Sequence, residues 1–260
     1  KYCLRYQRNS GQTGTNSMYI AQTLESIDSV KLMGNKLTLS FWARCGSGSS
    51  LSSLTATISS GSGTDENILN GFTGNVTEAT QSFNLTTAWQ KFTLTTSSPL
   101  SNKNQIGILF KATPSGTAGA NDYFEITQVQ LNAGESALPF QPRSFAEELA
   151  LCQRYYQKSF PYGIAPAQNV GTTIGAAHVI TTALGFASVQ QPLLCRMRTT
   201  PTVTTYNPFA ANANWRNTSD NVDLAAVIGQ ISDAQFLLTS SSQFTASKDY
   251  YIHWSADAEL

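Results

Sequence analysis

Apolar residues recur at every second position in several short runs of this chain. Lys36–Arg44 is the clearest: Leu37, Leu39, Phe41 and Ala43 fall on one side, and Thr38, Ser40, Trp42 and Arg44 on the other. A period of two is the pattern of a strand with one covered face. Trp89–Leu94 and Gln105–Phe110 read the same way, which places Trp89 and Phe92 in the core, and Trp42 opposite the leucine face. The intervening stretches 46–53, 59–64 and 114–119 are rich in Gly, Ser or Thr and are expected to be loops. Six to eight short strands at this spacing predict an antiparallel β-sandwich over residues 1–136.

The pattern changes once. Ser144 with Glu147 three residues later makes a capping box, Glu147 and Glu148 suit the first turn of a helix, and Arg154 and Lys158 suit its last. Phe145, Leu149, Cys152 and Tyr156 form an apolar stripe at helical spacing, expected to pack on its own domain. The helix is predicted over 144–158, with Pro161 stopping it. Strand-like runs then return at 173–182, 187–197, 200–206, 222–231, 235–239 and 249–256, with Pro192 and Pro201 at strand starts or edges. The last run sets Tyr250, Ile252, Trp254 and Ala256 against Tyr251, His253 and Ser255. The expected fold class is all-β: two antiparallel β-sandwich, jelly-roll-like domains, 1–136 and 161–260, joined by a linker at 137–160 that carries one α-helix.

Composition narrows the function. Charged residues make up 12% of the 260 and the formal net charge is +0, without the clustered basic surface that nucleic acid or an anionic membrane face requires. No apolar run approaches the ~18 residues that cross a bilayer as a helix, and no signal-peptide pattern opens the chain. It starts at Lys1, which points to a piece of a longer protein. The four cysteines, Cys3, Cys45, Cys152 and Cys195, lie far apart with no C-x-x-C, which disfavours a metal or redox motif; they read as buried free thiols, with disulfides in any of three pairings as the alternative. Sequons at Asn75, Asn84 and Asn217 are what chance supplies in a chain this rich in Ser, Thr and Asn.

Catalytic chemistry finds no anchor. His178 and His253 sit in strand-like runs outside any metalloprotease or nucleophile-elbow pattern and read as structural. Glycoside hydrolysis needs paired carboxylates; the pairs nearest in sequence are Asp65 with Glu66, Glu147 with Glu148, and Asp220 with Asp223, and turn or capping chemistry accounts for each. Trp215 stands out among the aromatics. It sits in Ala211–Asn217, a polar stretch without apolar periodicity, where an exposed indole could stack on a sugar while Asn214 and Arg216 bond its hydroxyls; a loop tryptophan folded back onto its own domain is the alternative. Trp215, Asn214 and Arg216 are the candidate carbohydrate-binding residues, with no catalytic residue, metal site or cofactor expected.

The stretch Ile126-Thr-Gln-Val-Gln-Leu-Asn-Ala-Gly134, then Leu138-Pro-Phe140, then Cys152-Gln-Arg-Tyr-Tyr156, resembles a joint in tail-fibre and receptor-binding proteins of tailed bacteriophages, where it follows a carbohydrate-binding-module-like jelly roll. Leu39-Ser-Phe-Trp-Ala-Arg44, Trp89-Gln-Lys-Phe92 and Val129-Gln-Leu131 resemble such modules; Arg196-Met-Arg-Thr-Thr-Pro-Thr-Val203 and Ser255-Ala-Asp-Ala-Glu-Leu260 resemble the tip domains that follow them. The resemblance implies a non-enzymatic virion component, tail fibre or receptor-binding protein, assembled in the host cytoplasm. It implies a homo-oligomer, as a trimer, that joins other virion proteins and attaches to host-surface glycans. It also implies a structural calcium near Asp122, which stands just before the strand at 123–131; an Asn121-Asp122 turn accounts for the same residues. A polysaccharide-degrading tailspike and a capsid-decorating fibre are the alternatives.

Overall fold

The computed structural model describes residues 2–172, 175–181, 185 and 187–259. The chain divides into two compact units, one reaching Pro142 and the other spanning Arg143–Glu259. Both are built of antiparallel strands, so the protein is all-β, as the alternation predicts.

In the first unit the strands are β1 (Leu4–Gln7), β2 (Met18–Thr23), β3 (Leu37–Cys45), β4 (Ser53–Gly61), β5 (Val76–Asn84), β6 (Gln90–Thr95), β7 (Gln105–Ala112) and β8 (Tyr123–Ala133). They form two four-stranded sheets, ordered β1-β8-β3-β6 and β2-β7-β4-β5. The alternating residues of β3, β4, β7 and β8 meet between them: Leu39, Phe41, Leu54, Ile58, Ile106, Phe110, Phe124 and Ile126 are buried in one core. Phe41 is the hub, with the rings of Phe83, Phe92 and Phe110 each within 5.6 Å of its own. Short helical turns at Ser26–Ser29 (α1), Val30–Leu32 and Ile68–Asn70 lie between strands. The last of these folds over the outer side of the second sheet. A Cβ on Gly107 would come within 2.5 Å of Ile68 and 2.8 Å of Phe72, so only glycine lets that cover close. The expected loop at 59–64 is therefore partly strand: Ser59–Gly61 finishes β4 and is buried.

The second unit opens with α2 (Phe145–Gln153), capped by Ser144 and Glu147 in the reciprocal box that the sequence predicts. The helix is shorter than expected. The backbone turns at Arg154 and Tyr155, and Tyr156–Lys158 becomes β9, paired with Ser255–Asp257. A strand edge offering ladder hydrogen bonds outcompetes another helical turn. Nor does the apolar stripe pack at home: no residue of α2 is buried, and Phe145 is 77% exposed.

The remaining strands are β10 (Ala177–Thr181), β11 (Ser188–Pro192), β12 (Thr202–Tyr206), β13 (Trp215–Asn217), β14 (Val222–Leu224), β15 (Ala226–Gly229), β16 (Gln235–Ser240) and β17 (Lys248–Asp257). β17 organises a six-stranded sheet, pairing with β10 and β13 along its first half and with β12 and β9 along its second; β13 continues to β14. A three-stranded sheet, β11-β16-β15, supplies the second layer. Trp215, Phe236, Leu238, Phe244, Tyr250, Ile252 and Trp254 fill the core. The single run expected over 222–231 is broken at Ala225 into two strands in different sheets. Of the run expected at 173–182, residues 173, 174 and 182 lie outside the described residues. Pro192 ends the edge strand β11 and Pro201 precedes β12, where a missing N–H does no harm.

Candidate functional site

The outer side of the β1-β8-β3-β6 sheet carries the chemistry. Because Phe124 and Ile126 point inward, Tyr123, Glu125 and Thr127 point out; the same alternation on β3 turns out Trp42 and Arg44, and on β1 Arg5 and Gln7. Strand register then sets Arg5, Glu125 and Arg44 side by side across β1, β8 and β3. Glu125 Oε1 accepts from Arg5 Nη2 at 2.6 Å and Nε at 2.9 Å, and its Oε2 accepts from Arg44 Nε at 2.5 Å. The guanidinium of Arg5 lies 4.0 Å over the ring of Tyr123, and that of Arg44 lies 4.9 Å over Trp89, just before β6. Trp42, half-buried, follows in the next row between Thr127 and Lys91.

The electrostatics follow from this packing. Glu125 is 3% exposed. Burial alone would raise its pKa, but the hydrogen bonds and charges of Arg5 and Arg44 outweigh burial and hold it below the ordinary range. A carboxylate pinned in its ionised form cannot act as a general acid, yet it fixes two guanidinium groups against two aromatic rings. Each guanidinium keeps N–H donors directed elsewhere than Glu125. Two cations, Arg5 and Arg44, flank this one carboxylate, and Lys91 lies beside Trp42 in the next row. The result is a rigid face with aromatic surfaces, fixed donors and a local positive excess. Gln130, further along β8, accepts from the Gln141 amide and donates to the Leu138 and Pro139 carbonyls, tying the exit segment to the same sheet.

The residues that the sequence singles out fare differently. Trp215 is fully buried: its ring meets Phe244 edge-on at 5.7 Å and its Nε1 donates to the Thr239 carbonyl at 2.8 Å. It is core, not a stacking platform, because the polar run around it is strand β13 with the indole turned inward. Asn214 precedes this strand. Arg216 points to the opposite side and donates to Asp223 at 3.0 Å and to Asn221 at 3.1 Å. There the register aligns His178, Tyr251, Arg216 and Asp223 across four strands, with the His178 ring stacked 4.3 Å from Tyr251 and its Nε2 2.8 Å from Asp249. His253 is enclosed, with Nδ1 at Ser159 Oγ and Nε2 at the Gly171 carbonyl; burial lowers its pKa, against a smaller opposing effect of the Gly171 bond. Trp254 lies in the core as expected, whereas Trp89 is half-buried on the outer face rather than interior.

The carboxylate pairs are likewise engaged. Glu66 accepts from Thr73 and Gln105, Asp220 from Lys248 and Asn217, and Asp223 from Asn207, Asn212 and Arg216. These bonds lower the pKa of all three, against burial in the case of Asp223. Glu147 belongs to the helix cap and Glu148 pairs with Arg143. All four cysteines are free, but only Cys45 is buried; Cys3 and Cys152 are exposed.

Asp122 is saturated by protein donors. Its Oδ1 accepts from the Ser50 amide, Ser50 Oγ and Ser49 Oγ, and its Oδ2 from Arg8 Nη1 at 2.7 Å. The other Arg8 terminus donates to three carbonyls, of Gln12, Gly14 and Gly116, at 2.7–3.0 Å. This is a shell of oxygens around a cation, and the cation is a side chain of the chain itself. The carbonyl oxygens are spent on Arg8 and the Asp122 carboxylate on Arg8, Ser49 and Ser50, so the residues do not fit a calcium ion as well.

No family model matches the chain, and no curated protein matches it. Among solved structures it is similar to a family 4 carbohydrate-binding module, with 19% identity and a TM-score of 0.35 over 50% of this chain and 70% of that one. It is also similar to the CBM22-2 xylan-binding domain of Xyn10C from Paenibacillus barcinonensis, with 16% identity and a TM-score of 0.29 over 43% of this chain and 70% of that one. A cycloisomaltooligosaccharide glucanotransferase of Paenibacillus sp., complexed with cycloisomaltoheptaose, aligns with 98% of this chain and 44% of its own at 10% identity and a TM-score of 0.22. None of these likenesses is close enough to carry a function over.

Signals for the outer face were only partly present in the sequence. Polar alternation on β3 and β8 exposes Trp42, Arg44 and Glu125 to view. Their meeting with Arg5 and Trp89 depends on pairing strands far apart in sequence, Arg5 and Arg44 lying 120 and 81 positions before Glu125, which spacing alone does not reveal.

Proposed function

We propose that this chain is a non-enzymatic glycan-binding protein of a tailed-bacteriophage particle, a tail fibre or receptor-binding component that attaches to the host surface. The observation that carries the binding reading is the outer face of the first unit: Tyr123, Trp42 and Trp89 beside guanidinium groups locked by Glu125. Aromatic faces accept the C–H side of sugar rings, and fixed N–H donors meet hydroxyl or carboxylate oxygens without losing freedom on binding. The excess of cations there favours glycans that bear carboxylate, phosphate or sulfate groups. The particle assignment rests on the sequence resemblance at residues 126–156, and with it the homotrimer and the association with other virion proteins.

The test is binding of the full chain to purified host-surface polysaccharides by calorimetry. A carboxylate-bearing polymer should bind, Trp42→Ala or Arg44→Ala should weaken it about tenfold or more, and raised salt should weaken it further. Equal affinity of the variants for every polymer would move the site off this face. Light scattering of the assembled protein should give trimers, and shortened polysaccharide chains after incubation would replace the binding reading by a hydrolytic one.

A further inference from the structure

A recess lies in the first unit, where the segment leaving β1 passes to β2. Each of these strands is an edge of its own sheet, and the segment between them crosses from one layer to the other. The cleft measures about 290 Å³. Tyr6, Met18 and Pro114 give it an apolar side; Gln12, Asn16 and Ser17 give it a polar one, and Arg8 is part of its wall.

Its chemistry differs from that of the outer face. The one cation, Arg8, is cancelled by Asp122 at 2.7 Å, and every other lining group is neutral. The Arg8 side chain is 2% exposed, and its Nε–H has no acceptor among the described residues. The side-chain amides of Gln12 and Asn16 are engaged by no other described residue, and an amide both donates and accepts, as a sugar hydroxyl does. The volume falls just below the ~300–1,000 Å³ typical of drug-sized ligand sites, a size for a single sugar ring.

We propose that this cleft holds one uncharged pyranose, taken end-on, with its C–H face on Tyr6 and Met18 and its hydroxyls on Gln12, Asn16 and Ser17. It rests on the glycan-binding reading and extends it: the outer face meets a polymer along its length, and the cleft reads a chain end. Because its charges cancel, binding there is indifferent to salt, unlike binding on the face.

The experiment is an NMR titration of the full chain with the methyl pyranosides of glucose, galactose and mannose to tens of millimolar, at low and high salt. The expected result is salt-independent shifts at the amides of Asn16, Ser17 and Met18 with at least one sugar. The Gln12→Ala/Asn16→Ala double variant should weaken this about tenfold, while Trp42→Ala leaves it unchanged. No shift with any of the three sugars, or shifts that persist in the double variant, overturns the inference. If the double variant fails to fold, the wild-type shift map decides alone. Loss of the cleft with polysaccharide binding intact removes this inference only; loss of both removes the reading beneath it.

Discussion

Arg8 and Asp122 show how much a single pair can carry. Burial would raise the Asp122 pKa, but the Ser50, Arg8 and Ser49 hydrogen bonds prevail and hold it below the ordinary range. Removing one partner of a buried pair leaves the other charge uncompensated, at about 3–5 kcal/mol. Arg8→Met is therefore expected to lower the melting temperature of the first unit by on the order of 10 °C, measured by circular dichroism. Chelation by EDTA should leave the wild-type transition where it is, since the guanidinium holds the oxygens that a metal would need. Trp215→Ala should cost about 3–5 kcal/mol of stability in the second unit, seen as a shifted denaturation midpoint. An exposed sugar-stacking indole would lose affinity and little stability. The sequence misled here because β13 is three residues long, too short to display a period. Glu125 was hidden for another reason: one acidic residue in a strand looks like surface until the two arginines that cover it are brought in from other strands.

Strands with one covered face are the elements that the sequence displays best. β3, β7 and β17 alternate over eight to ten residues, long enough for the pattern to exclude a helix. The start of α2 was equally legible, because a capping box is a local device complete within four residues. Its end was not, since the competitor is the edge of β17, about a hundred residues away. The cover over Gly107 shares that dependence on a partner far along the chain, whereas the split at Ala225 is set by nearby pairing, of β14 with β13 and of β15 with β16. Ser144→Ala should cost about 1 kcal/mol, and because no side chain of α2 is buried the loss stays local. Hydrogen exchange at residues 145–149 should quicken several-fold while the global melting temperature moves little; a large global shift would mean that the helix is braced by something else.

Two cores in one chain give the molecule a stepwise response to acid. His253 is enclosed and its pKa is lowered in the folded state, so the stability it protects is present above the unfolded value of about 6.5 and is lost as pH falls through that region. Asp122 and Glu125 are also lowered. As carboxylates, they keep their contribution above about pH 4 and lose it below. Calorimetry from pH 7.5 downward should therefore show the transition of the second unit weakening first, near pH 6, with that of the first unit holding until about pH 4. A His253→Gln variant should flatten the earlier change. A single transition moving as one with pH would contradict this account.

β17 runs along β9, β10, β12 and β13 and joins them into one sheet. During synthesis on the ribosome those four segments emerge before the strand that unites them. The second unit must then wait, unpaired edges in solution, until residues 248–257 leave the exit tunnel, whereas the first unit has all its strands once β8 has appeared. A stop codon placed before Lys248 would thus leave an intact first sandwich trailing a hundred residues unable to close, a target for proteases and a seed for aggregation.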